Sequence, residues 1–91
     1  MELGNNNVVV LRNGLIGLVS SFNGAPLQII FRSYTSPVGK YDNDLKFIQK
    51  KENPSYDIVE VYDGSTIKDP KKAFTKNFTV EGLELLWKRE E

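Results

Sequence analysis

The chain of 91 residues contains no cysteine and no histidine. Without cysteine there is no disulfide framework and no thiol nucleophile. Without histidine there is no imidazole general base and no Ser-His or Cys-His pair. Zinc sites of the Cys/His kind are excluded with them. Charge of one sign is not in excess: Lys+Arg and Asp+Glu number 12 each, for a formal net charge of zero. A non-specific nucleic-acid binder carries a clear positive excess, so the balance argues against one unless charge is segregated on the surface. No apolar run approaches the ~20 residues that span a bilayer. The start, Met1 to Asn7, has neither the basic residues nor the apolar core of a secretory signal. The chain is therefore read as one domain, residues 1–91, located in the cytoplasm, with the polar residues 1–6 disordered and no cofactor or metal implied.

What is present is a pair of Asn-Gly dipeptides, each between apolar runs. Residues 8–12 lead into Asn13-Gly14, residues 15–20 follow, then Asn23-Gly24 and residues 27–32. Asn-Gly suits the two central positions of a type I′ turn, where both residues need positive φ. Two such turns predict a three-stranded meander with strands at about 7–12, 15–21 and 26–34. The first two strands are apolar on both faces, which calls for burial on both sides or a face left for a partner. Gly17, inside the second, marks a bulge or bend.

Residues 35–55, punctuated by Pro37, Gly39 and Pro54, read as a connection. Within it Asp42 can cap a turn or short helix running to Lys50, with Leu45, Phe47 and Ile48 plugging one end of a barrel. Residues 56–62 are rich in β-branched and aromatic side chains and form the next strand; Asp63-Gly64 ends it, with Thr66-Ile67 as a short return. The last element, 83–91, alternates Leu83, Leu85 and Trp87 with Glu84 and Lys88 and is read as a closing strand. The fold expected is all-β: a small SH3-like barrel or strongly curled antiparallel meander of five to six strands. The alternative is α+β with a C-terminal helix over 79–89.

Chemistry-bearing residues are sparse. Asp42 and Asp44 stand two apart, but a calcium loop would continue with an oxygen ligand, a glycine and a distant glutamate where this chain has Lys46, Phe47 and Asn53. Asp57, Glu60 and Asp63 do not converge on one strand face. With no paired carboxylates and no standard nucleophile, the chain is read as a non-enzyme. Lys68, Lys71, Lys72 and Lys76 interleave with Phe74 and Phe78, a pattern that suits single-stranded nucleic acid; the favoured reading is a solvated loop anchored by its phenylalanines. Trp87 with Tyr34, Tyr41, Tyr56 and Tyr62 can line a recognition groove; Trp87 taken alone is read as core, and Tyr34 and Tyr41, beside loops, as the exposed contacts. Two-sided apolar strands, an unpaired sheet edge and zero net charge predict a homo-oligomer.

Four blocks carry a resemblance: Leu11-Arg12-Asn13-Gly14, Tyr41-Asp42-Asn43-Asp44-Leu45, Tyr56-Asp57-Ile58-Val59-Glu60-Val61-Tyr62 and Leu86-Trp87-Lys88-Arg89-Glu90. In these, and in their order, the chain resembles a group of short uncharacterised phage and prophage proteins of Gram-positive bacteria. The resemblance implies a setting in the cytoplasm of a bacterial host, and an action by binding a host macromolecule or signalling molecule. The function expected is a non-enzymatic binding protein that inhibits or sequesters a host component, such as part of a defence system. Its partner would be a host protein or a small phosphorylated signal molecule. Arg12, Arg32, Tyr34 and Tyr41, at strand ends or adjoining loops, are the candidate contact residues. Two alternatives stay open: a nucleic-acid-binding accessory protein using Lys71, Lys72, Phe74 and Lys76, and a structural or assembly component of the virion.

Overall fold

The computed structural model describes residues 1–21, 25–48, 54–67 and 78–90. Six strands form one sheet: β1 (Asn7–Leu11), β2 (Ile16–Ser20), β3 (Gln28–Ile30), β4 (Thr35–Pro37), β5 (Ile58–Asp63) and β6 (Glu84–Lys88). Their spatial order is β4-β3-β2-β1-β5-β6, and every neighbouring pair is antiparallel. The all-β expectation holds, and residues 84–88 are a strand rather than a helix. β4 and β6 are the two outer strands. The sheet is thus an open meander, and the closed barrel is not formed by the described residues. Among those residues no helix is long and apolar enough to cross a membrane.

Both tight registers differ by one residue from the Asn-Gly expectation. Val10 pairs with Ile16 and the Leu11 N–H donates to the Leu15 carbonyl, leaving Arg12, Asn13 and Gly14 as a three-residue loop. The Gly14 N–H donates back to the Leu11 carbonyl. Gly14 has φ +90, whereas Asn13 is not among the residues with positive φ. This is a type I turn followed by a left-handed glycine, not a type I′ turn; the Asn13 side chain accepts from the Leu15 N–H at 3.0 Å and stabilises it. Gly14→Val should therefore lower stability by about 1–2 kcal/mol through backbone strain alone, since no atom lies within 4 Å of a Cβ built there. An unchanged urea midpoint would refute the left-handed assignment. The Asn23-Gly24 turn lies outside the described residues, but Ser20 pairs with Gln28, where a two-residue turn there would set it opposite Leu27.

The third expected strand is cut short. The Phe31 N–H donates to the Tyr34 carbonyl, so Arg32-Ser33 turns the chain and β4 pairs back along β3 inside what read as a connection. Nor does a helix follow Asp42. The chain reverses there, with Tyr41 bridging Phe47. The Asp42 carboxylate does cap this turn, accepting from the N–H groups of Asp44 and Lys46 at 2.9 and 3.0 Å. Leu45, at φ +59, is buried and Phe47 half-buried, while Ile48 is exposed. The short return at Thr66-Ile67 is a turn closed by the Ile67 N–H on the Gly64 carbonyl.

Alternation along the strands sorts the apolar residues into two layers. Val9, Val19, Ile29 and Val61 join Leu3, Leu11, Phe31, Tyr41, Leu45 and Ile58 in the main core. On the opposite face Val8 and Leu18 are covered by Ile16, Tyr62, Ile67, Phe78, Val80 and Leu83. The two-sided apolar runs of β1 and β2 are therefore satisfied within one chain, and Phe78 anchors its segment to the sheet. Residues 1–6, expected to be disordered, are tied to the fold instead. Leu3 is buried, the Asn6 N–H donates to the Val19 carbonyl, and Asn5 exchanges two hydrogen bonds with Ser21.

Candidate functional site

The β3–β4 turn, the 3₁₀ turn Val38–Lys40 and the 3₁₀ turn Pro54–Tyr56 surround one cleft of about 510 Å³. Its lining is Tyr34, Thr35, Ser36, Lys40, Tyr41, Phe47 and Tyr56. Each side chain is placed by local structure. The turn at Arg32-Ser33 sets Tyr34 over Phe31, stacked with centroids 4.7 Å apart. Pro37 leads β4 into the 3₁₀ turn, which ends where the Tyr41 N–H meets the Val38 carbonyl. The Tyr41–Phe47 bridge then brings Phe47 back, and its ring sits 5.3 Å from both the Tyr41 and the Tyr56 rings. Tyr41, Phe47 and Tyr56 make a tilted aromatic floor, with Tyr34 as one wall and Lys40 as the cation among the lining residues.

The Tyr34 and Tyr41 phenols are held in their neutral form. Partial burial, and then the neighbouring Tyr56, raise the Tyr34 pKa above the ordinary phenol value. Burial raises that of Tyr41 strongly, with Tyr34, Asp57 and Tyr56 adding to it. Tyr41 donates its hydroxyl to the Tyr56 carbonyl at 3.1 Å, so it braces the floor rather than reaching solvent.

Of the four candidate contacts, two meet here and two do not. Tyr34 lines the cleft and is 38% exposed. Tyr41 lines it too but is buried, correcting its expected place as an exposed contact. Arg12 lies elsewhere: its guanidinium stands 3.6 Å from the Asp57 carboxylate and donates to the Pro54 carbonyl at 3.2 Å. Arg32 is exposed at the β3–β4 turn and does not line the cleft. Lys71, Lys72, Phe74 and Lys76 lie outside the described residues. The expected groove of five aromatics also divides. Trp87 packs against the main core with the Arg89 guanidinium 5.2 Å from its ring, and Tyr62 donates to the Glu60 carboxylate on the other face. Lys40 and Phe47 complete the cleft. Phe47 reads only as a plug in the sequence, because its meeting with Lys40 depends on the bridge at Tyr41.

Asp57 and Asp63 hold structural partners. Asp57 accepts from the Phe47 N–H at 2.9 Å, and Asp63 caps the Ser65 N–H. That N–H and the Ser65 hydroxyl keep the Asp63 carboxyl below its ordinary pKa. Among the described residues no three acidic side chains gather in a metal-holding group. A second groove, about 360 Å³, joins Arg12, Val59, Glu60, Lys88 and Arg89, but its arginines are engaged. Arg89 donates to the carbonyls of Ile58 and Asp44, clamping the end of β6 to the capped turn. The aromatic cleft is the better site, because it combines ring faces, hydroxyls and a cation with no carboxylate among the described residues of its lining. No protein-family model, no curated protein and no solved structure matches the chain.

Proposed function

We propose that this chain is a phage-encoded, non-enzymatic binding protein that sequesters or inhibits a host component, and that capture takes place in the aromatic cleft. The observation that carries this is the convergence of Tyr34, Tyr41, Phe47, Tyr56 and Lys40 on one concave surface. Rigid aromatic side chains with polar ends supply contact area at small entropic cost. The phage setting and the choice of a defence component rest on the four-block resemblance. Binding rather than turnover is supported by Asp42, Asp57, Glu60 and Asp63, whose carboxylates are committed to a turn or a neighbouring group. Capture from host lysate, read by protein and nucleotide mass spectrometry, is expected to recover a defined host ligand with the parent chain and to lose it with Tyr34→Ala. Recovery of genomic DNA or RNA alone would favour the nucleic-acid role, and abundance in purified particles the virion role; either sinks this reading.

Association of copies belongs to the same proposal. Leu85 and Leu86 are 46% and 44% exposed on the outer strand β6, whereas β4, the other edge, is short and ends in Pro37. The register shift where Val61 pairs with Trp87 and Tyr62 with Leu85 interrupts β6, which disfavours strand-to-strand extension. The leucine side chains are the contact instead. Light scattering should give a mass above 10.3 kDa; the monomer mass at every concentration rejects it.

A further inference from the structure

We infer that the cleft takes a planar heteroaromatic ring carrying a phosphate, the chemistry of a nucleoside monophosphate. This rests on the proposed capture role of the cleft and names its ligand class. Three features of the lining select that chemistry together. Tyr34 has one ring face covered by Phe31 at 4.7 Å yet remains 38% exposed, so the face away from Phe31 is a stacking platform. Base-on-tyrosine stacking tolerates any base because every base has a π-face.

The cleft also carries a cation. Lys40 lines it and, among the described residues, no carboxylate lines it, so an anionic group gains an ion pair there. A neutral sugar would use the rings and hydroxyls but leave the ammonium without a partner, and a cationic ligand would meet it as a repulsion. The third feature is a set of donors. Tyr34 and Tyr56 both line the cleft. Thr35 and Ser36, from β4, line it as well. Neutral hydroxyls next to an ammonium can donate to phosphate oxygens. The volume, about 510 Å³, falls within the range of small-molecule sites.

Titration calorimetry with adenosine monophosphate, uridine monophosphate, adenosine and inorganic phosphate tests the inference. Both monophosphates should bind, and adenosine or phosphate alone should bind more weakly by about tenfold or more. Lys40→Ala should weaken the monophosphates by about tenfold while leaving adenosine unchanged. Tyr34→Ala should weaken monophosphate and nucleoside alike, and Tyr34→Phe should keep the stacking share. Both positions are exposed, and circular dichroism of each variant checks the sheet. Equal affinity for adenosine and its monophosphate overturns the inference, as does a monophosphate affinity indifferent to both substitutions. If no monophosphate binds while Tyr34→Ala still abolishes capture from lysate, the ligand class is wrong and the capture role stands. If capture survives both substitutions, the capture role itself falls.

Discussion

Gly17→Val should destabilise the protein by about 3 kcal/mol, seen as a lower urea midpoint with an unchanged slope. Gly17 sits in β2 directly opposite Val9, in a pairing that shows no register shift, so the bulge expected at this glycine is absent. Its role is close approach. A Cβ built on it would lie 2.6 Å from Ile29 Cγ2 and 2.8 and 2.9 Å from two atoms of the Phe31 ring. Both neighbours are deep in the main core, at 0% and 4% exposure. Ile29 cannot swing away without displacing its own strand, and Phe31 is held against Tyr34. Even alanine must push one of them, at about 1–2 kcal/mol; valine adds two methyls where interiors have no spare volume. Stability of a chain this size is on the order of 5–14 kcal/mol, so the valine effect takes a substantial share. Gly39→Ala is the control. No atom lies within 4 Å of its built Cβ, and its midpoint should stay within about 0.5 kcal/mol of the parent. Equal midpoints for the Gly17 and Gly39 variants would mean that β2 and β3 do not pack as described.

The same residues show what a sequence of this kind reveals. Apolar runs such as Val8-Val9-Val10-Leu11 are legible because burial on both faces suppresses alternation, and the sheet does bury both Val8 and Val9. The last strand is legible because Leu83, Leu85 and Trp87 keep a two-residue period long enough to outweigh their helix propensity. The turn types are not. Asn-Gly fits both a two-residue loop and the end of a three-residue loop, and the choice is made by which residues reach the core. Arg32-Ser33 gave no signal strong enough to cut an apolar run, so β4 stayed hidden. For the cleft, Tyr34 and Tyr41 stand out as aromatics beside loops. Their meeting with Tyr56, some fifteen residues on, depends on long-range hydrogen bonds such as Tyr41 to the Tyr56 carbonyl. Arg12 looked like a contact residue for the same local reason, and the fold places it beside Asp57.

Asp57→Ala should cost about 2–3 kcal/mol and weaken ligand capture as well. Asp57 is 8% exposed and joins three parts of the fold. Its side chain accepts from the Phe47 N–H at 2.9 Å, its carbonyl accepts from the Arg12 N–H, and its own N–H donates to the Pro54 carbonyl. The carboxylate also faces Arg12 at 3.6 Å, but the Arg12 side chain is 35% exposed. Solvent screening keeps that ion pair to less than about 1 kcal/mol. The larger loss comes from Phe47, whose part-buried N–H would be left without its acceptor. Asn at this position keeps an acceptor of the same reach and removes only the charge, so Asp57→Asn should cost about 1 kcal/mol or less. Arg12→Ala should cost about as little, and a double-mutant cycle between Arg12 and Asp57 should show weak coupling. If alanine and asparagine at position 57 shift the urea midpoint equally, the carboxylate charge matters more than the Phe47 bond. The stability and binding effects share one cause. Phe47 is the central ring of the cleft floor, in contact with Tyr41 and Tyr56, and it is held in the Tyr41 bridge by the Asp57 side chain. Releasing it loosens the floor while Tyr34 and Lys40 remain in place, so Asp57→Asn should retain the capture that Asp57→Ala loses.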